Sequence, residues 1–134
     1  NRHVIKLPSP SYLCSSILNM THKSTISIDV MLDESRVPEE ISWKASDSTA
    51  DMDQKAKAMM VSFWDGADKS ALRIDLWTKQ MMVDEMVEFH YQTLMTMADT
   101  FQRATGNAEI AADMKEFAGS MMKKFKADQL KHNH

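Results

Sequence analysis

The sequence predicts an α+β domain: a four-stranded antiparallel sheet followed by two helices packed on one of its faces. Apolar and polar residues alternate along the first half of the chain, with the period of two that strands require. In the second half, apolar residues recur every three or four positions, as on one side of a helix. Because the strands come first and the helices last, the order is that of an α+β domain.

The first predicted strand covers about residues 23–33, where alternate positions are aliphatic from Ile26 to Leu32. An acidic turn and Pro38 end it, since proline restricts the residue before it. The second strand, about 39–46, follows after a short connection and is therefore expected to run antiparallel to the first. Residues 46–53 are polar and acidic without periodicity, which predicts a loop.

A hairpin supplies the third and fourth strands, about 55–65 and 70–78, around the turn residues Asp65-Gly66-Ala67-Asp68-Lys69. In its second arm one side is aliphatic, with Leu72, Ile74 and Leu76. The other side carries Arg73, Asp75 and Trp77. We expect the aliphatic side to lie on the core and to face the helices.

The two helices are predicted over about 82–104 and 107–131. Gly106 suits a left-handed C-cap, and Asn107 suits the N-cap of the second helix. Several lysines crowd the end of the second helix, where the helix dipole favours cations.

Residues 1–19 are expected to be a disordered or non-native upstream segment, with Met20 as the natural start and one domain over residues 20–134. Prolines and serines interrupt the apolar residues of this segment, so it is a poor secretory signal. An export signal, which would place the protein on the periplasmic side, remains the alternative to a cytoplasmic location. No apolar run is long enough to span a bilayer.

Several chemistries find no support in the residues. A net charge of −3 does not suggest a nucleic-acid surface, and three isolated glycines exclude a phosphate-binding loop. His90 has Met86 and Leu94 four positions away, so the second ligand that a helical metal site requires is missing. Asp29 and Asp75 facing each other as a carboxylate pair is the other candidate, but nearby cations such as Arg73 favour ordinary surface partners. We therefore predict a non-enzymatic protein without cofactor or metal.

Methionine and tryptophan carry the clearest hint of function. Thirteen methionines are present, and three pairs of them are adjacent in the chain. Neighbouring residues cannot both face one core, so a second apolar surface is expected. Flexible thioethers suit a surface that accepts varied partners. The alternative, that these side chains fill gaps and that the loop 46–53 covers them, stays open. The predicted protein-binding or homo-oligomer surface comprises Trp43, Met60, Trp64, Arg73, Asp75 and Trp77.

Several runs in the chain resemble a known family. These are Ser62-Phe63-Trp64-Asp65, the segment from Leu72 to Lys79, Met82-Val83-Asp84-Glu85-Met86, and upstream Leu32-Asp33-Glu34, Val37-Pro38-Glu39 and Ile41-Ser42-Trp43, with Ala104-Thr105-Gly106 after the first helix. Over about Thr21 to Lys131 the chain is similar to the GldC family of gliding-motility-associated proteins from Bacteroidota. Met82 stands where that pattern leads one to expect a proline.

The resemblance implies a small, soluble accessory protein of the gliding apparatus or its linked secretion system, acting in the cytoplasm without known catalysis. No established set of active residues accompanies the family, so none is assigned here. A second function remains open, because four strands followed by two helices is also the element order of the SecB export chaperone. That likeness is a fold-level analogy.

Overall fold

A computed structural model describes residues 21–49 and 52–133, and the chain divides into two compact units, Asn1–Gln80 and Met81–His134. Within the described residues, the first unit holds five strands and the second two helices. The elements are β1 (Ile26–Leu32), β2 (Pro38–Ala45), β3 (Gln54–Ala56), β4 (Ala58–Asp65), β5 (Ser70–Trp77), α1 (Val83–Thr105) and α2 (Ala108–His132). The predicted α+β class is confirmed. The segment 1–19 lies outside the described residues, and the single domain over 20–134 stays a prediction.

The prediction of one four-stranded sheet is wrong. The strands form a three-stranded antiparallel sheet, β1-β2-β3, and a separate two-stranded antiparallel sheet, β4-β5. The predicted third strand, 55–65, divides at Lys57. Ala56 before it is paired with Ile41 of β2, and Ala58 after it is paired with Trp77 of β5. The backbone N–H of Thr78 donates to the Lys57 carbonyl at 2.8 Å, so the chain joins β5 from this residue onward.

The three-stranded sheet has one apolar face, which the register defines. Val30 lies opposite Ile41, Ile28 opposite Trp43, and Ile26 opposite Ala45. Ile41 and Ala45 on the central strand are each only 1% exposed. The opposite face carries the polar residues of the alternation, so this sheet has the half-buried pattern that the sequence indicates.

The turn between β1 and β2 is organised by Asp33. Its carboxylate accepts hydrogen bonds from the backbone N–H groups of Ser35 at 2.8 Å and Val37 at 2.9 Å. It also pairs with Lys79, which lies 3.8 Å from Glu39. The hydrogen bond from Lys79 is the main cause that holds the pKa of Asp33 below its usual value, and the same contact raises the pKa of Lys79. This ion pair connects the β1–β2 turn to the residues that follow β5.

The second unit is a helical hairpin. Gly106 ends α1 in the left-handed conformation, with φ 71°, and its N–H donates to the Gln102 carbonyl at 2.8 Å. Asn107 caps α2 by accepting from the Ile110 N–H at 3.0 Å. Both caps agree with the sequence prediction. Lys115 on α2 lies 2.7 Å from Asp99 on α1 and ties the helices together. No helix among residues 21–49 and 52–133 has the length and apolar character to cross a membrane.

Candidate interaction surface

The hairpin that joins β4 to β5 is built by Asp65. Its Oδ1 accepts from the backbone N–H of Ala67 at 2.8 Å and of Asp68 at 3.1 Å. Lys69 takes a positive φ of 52° before β5 begins. Asp65 is therefore a turn former whose short side chain bonds nearby backbone, as the sequence indicates.

The strands β4 and β5 form a ribbon with two distinct faces. Because side chains alternate along a strand, the pairs Met59–Leu76, Val61–Ile74 and Phe63–Leu72 share one face. We call these six residues the aliphatic face. The opposite side, which we call the tryptophan face, consists of Ala58, Met60, Ser62, Trp64, Ala71, Arg73, Asp75 and Trp77.

The tryptophan face exposes two large aromatic side chains. Trp64 is 69% exposed and Trp77 is 58% exposed. Between them, Arg73 and Asp75 form a two-point ion pair, with Nε 3.2 Å from Oδ2 and Nη2 3.0 Å from Oδ1. Five of the six residues predicted to bind a partner therefore lie together on this face.

Trp43, the sixth predicted residue, lies on β2 in the other sheet, opposite Ile28 and Gln54. It is half-buried rather than exposed. Trp43 and Met60 nevertheless line the same open, apolar cavity of about 210 Å³. The other lining residues are Ile26, Ile28, Ile41, Ala56, Ala58 and Met59. Of the other five predicted residues, Met60 alone shares this cavity with Trp43, and the two residues lie in different sheets.

The aliphatic face was assigned to the core from the sequence, yet several of its side chains are exposed. Phe63 is 60% exposed, Leu72 58% and Ile74 50%. Leu76 is half-buried. Both arms of the hairpin are apolar at the positions that share this face, a pattern that predicts burial, so the sequence contains no sign of its exposure.

Chemical sites are sparse in the part of the chain that the structure describes. Residues 21–49 and 52–133 contain no group of three or more His, Cys, Asp or Glu side chains arranged to hold a metal ion. The His90 ring bonds the Met86 carbonyl of its own helix at 2.8 Å. Asp29 lies opposite Ser42 and Asp75 opposite Met60, in different sheets, so the two carboxylates are not cross-strand neighbours.

The fold and the ribbon define a class of protein: a small α+β protein with two exposed tryptophans on one face of a two-stranded ribbon. The comparison with family models identifies the family. The model described as gliding motility-associated protein GldC-like matches residues 38–127, well over half of the 134-residue chain. The chain belongs to this GldC-like family. No curated protein and no solved structure matches it.

The matched range is shorter than the resemblance seen in the sequence. It begins at the start of β2, so β1 precedes it, and it ends inside α2. It includes the whole β4–β5 ribbon. An origin in Bacteroidota stays a prediction.

Proposed function

We propose that this chain is a non-enzymatic accessory protein of gliding motility that acts through protein–protein contacts at the tryptophan face. Membership of a motility-associated family supports the first half of the proposal. The exposure of Trp64 and Trp77 on either side of the Arg73–Asp75 ion pair supports protein–protein contacts at this face.

Exposure of large aromatic side chains to water is costly. Tryptophan buries a large apolar area, and Trp, Tyr and Arg dominate the binding energy of protein interfaces. Two tryptophans on one face, separated by an ion pair, offer both apolar anchors and oriented polar groups. A partner that covers this face gains the burial of both rings and can exchange hydrogen bonds with Arg73 and Asp75.

The test is an allelic replacement in the native host with a matched control. A Trp64→Ala/Trp77→Ala double variant is expected to abolish spreading of colonies and to stop co-purification of motility components. Leu130→Ala removes an equally exposed apolar side chain, 66% exposed, from α2 and is expected to leave both unchanged. Normal spreading by the double variant at wild-type protein level would refute the proposed use of this face.

A chaperone-like function is the second candidate, and the aliphatic face supports it. Phe63, Leu72 and Ile74 are exposed on one side of the ribbon, and an apolar cavity opens in the same unit. Such surfaces can hold unfolded segments of another chain. This candidate predicts that the purified protein suppresses aggregation of a chemically unfolded reporter. It also predicts that Phe63→Ser weakens the suppression while Trp64→Ser does not.

We also propose the cytoplasm as the compartment, following the family resemblance. Fractionation of the native host with an antibody to this chain tests it. Recovery in the periplasmic fraction would instead favour export.

A further inference from the structure

We propose that two copies of this chain associate through the free edge of β5. The two β5 strands would run antiparallel, with a two-fold axis at Ile74, and would join the two β4–β5 ribbons into one four-stranded sheet. This inference does not depend on the motility assignment, because it follows from the backbone and the charges of β5.

The outer edge of β5 has no strand partner in the part of the chain that the structure describes. Among residues 21–49 and 52–133, no strand other than β4 pairs with β5. The strand is eight residues long and contains neither proline nor glycine. Natural edge strands are usually short or carry proline, bulges or inward charges, which prevent pairing with another chain. β5 has none of the first three protections, and its Leu72 and Ile74 side chains are exposed.

The backbone direction limits the possible registers. The Thr78 N–H donates to Lys57, and the pairing from Ala58–Trp77 onward is regular. In an antiparallel pair, hydrogen-bonded residues alternate with residues that point away. Leu72, Ile74 and Leu76 therefore bond β4, whereas the N–H and C=O groups of residues 71, 73, 75 and 77 point outward. A second β5 must align these outward residues with one another. The two-fold axis therefore lies midway between the two copies of one residue, which face each other, and an axis at a residue is meant in this sense below.

Charge excludes two of the remaining registers. An axis at residue 73 places Arg73 opposite its own copy, and an axis at residue 75 does the same for Asp75. Like charges directly opposite are destabilising, and opposite charges are stabilising. With the axis at Ile74, each Arg73 faces Asp75 of the second copy.

The same register also suits the other side chains. Leu72 faces Leu76 of the second copy, and Ile74 faces Ile74. The outward residues from Ala71 to Trp77 then form four facing pairs, which exchange about eight backbone hydrogen bonds. The segment Leu72-Arg73-Ile74-Asp75-Leu76 is thus complementary to itself when it is read in the opposite direction.

Charge reversal tests the register. Wild type is expected to sediment as a dimer that dissociates on dilution. Arg73→Glu puts two carboxylates opposite each other, and Asp75→Arg puts two cations opposite each other, so each variant alone is expected to be monomeric. An equal mixture of the two variants is expected to form heterodimers, since each strand then carries one sign and faces the other. The R73E/D75R double variant is expected to dimerise again.

A dimeric R73E or D75R variant, or a mixture of correctly folded variants that stays monomeric, would overturn the proposal. So would a wild type that remains monomeric at every concentration. Circular dichroism of each variant shows whether a lost dimer reflects lost folding.

Disulfide trapping provides a second test away from the charged residues. The one cysteine of the sequence, Cys14, is first changed to serine. The facing Ile74 residues form a pair without hydrogen bonds, whose Cα atoms are about 4.5 Å apart, within disulfide range. Ile74→Cys is therefore expected to give a covalent dimer on mild oxidation.

Leu72→Cys is the matched control, because Leu72 lies on the same face and is similarly exposed. Its copy is displaced by four residues along the strand, about 14 Å, so cross-linking is expected to be absent. Equal cross-linking of both variants would refute the register. Since neither residue belongs to the tryptophan face, this result is independent of the motility proposal.

Discussion

Replacing Ile41 with alanine is expected to lower the free energy of unfolding of the strand unit by about 3 kcal/mol. Ile41 lies on the central strand β2, between Val30 and Ala56, and is 1% exposed. The substitution removes three buried carbon atoms. At about 0.8 kcal/mol for each, the loss of burial alone costs about 2.4 kcal/mol.

The rest of the loss in the free energy of unfolding depends on the volume of the cavity that the smaller side chain leaves. Core substitutions of this kind cost about 2–5 kcal/mol, and the spread reflects how much new cavity is created. Ile41 already lines an open cavity of about 210 Å³, so the new space enlarges an existing one. We therefore expect a value in the lower half of that range.

Urea denaturation followed by tryptophan fluorescence measures the effect. All three tryptophans lie in strands, and Trp43 lines the same cavity as Ile41, whereas far-ultraviolet circular dichroism reports mainly the helices. Protein concentration is held constant, since self-association would add to the apparent stability.

Ile28→Ala is the control for this prediction. Ile28 lines the same cavity but is 40% exposed, so its substitution is expected to cost about half as much. A loss at Ile41 below about 1 kcal/mol, or a larger loss at Ile28, would show that this face is not the buried centre of the sheet.

Three further predictions concern the helix caps and the first turn. Gly106→Ala is expected to destabilise the helical hairpin by about 1 kcal/mol, because it forces a left-handed φ on alanine. Gly119→Ala inside α2, where the added methyl group meets open space, is expected to stabilise the hairpin by about 1 kcal/mol. Thermal unfolding followed by circular dichroism compares the two variants. Asn107→Ala removes the N-cap of α2 and is expected to cost about 1 kcal/mol in the same assay, and an unchanged melting temperature would contradict the observed cap. The pKa of Asp33 is lowered in the folded protein, so the Asp33 carboxylate stabilises the fold fully at pH values well above the ordinary pKa of 3.8. This stabilisation disappears as the pH falls through the folded pKa. Asp33→Asn is therefore expected to be less stable than wild type at neutral pH and equally stable in strong acid. A constant difference across that pH range would show that Lys79 does not act through the carboxylate charge.

The sequence predicted the secondary structure closely, and the reason is local. Period-two alternation and the caps at Gly106 and Asn107 depend only on residues that are close in the sequence. For this reason β1, β2, β5 and both helices begin and end within about three residues of their predicted bounds. The error concerns pairing. Alternation tells which face a side chain takes but not which strand lies beside it. Lys57 is neither proline nor glycine, so nothing in the segment 55–65 marks the point where the chain leaves one sheet for the other.

The candidate surface was predicted in part for the same reason. Met60, Trp64, Arg73, Asp75 and Trp77 lie in two strands joined by a tight turn, so their common face follows from the register of one hairpin. The position of Trp43 depends on the separation of the two sheets, which the pattern does not encode. The exposure of the aliphatic face likewise depends on what covers it, which no local pattern specifies.

The single residue between β3 and β4 has a mechanical consequence. With only Lys57 between them, β3 and β4 have no slack in the chain with which to separate, and the Lys79–Asp33 ion pair is a second link between the ribbon and the three-stranded sheet. A partner that pulls on the ribbon therefore loads β3 lengthwise against β2. Only three residue pairs hold β3 in place, so this short strand would be the first part of the sheet to give way under tension.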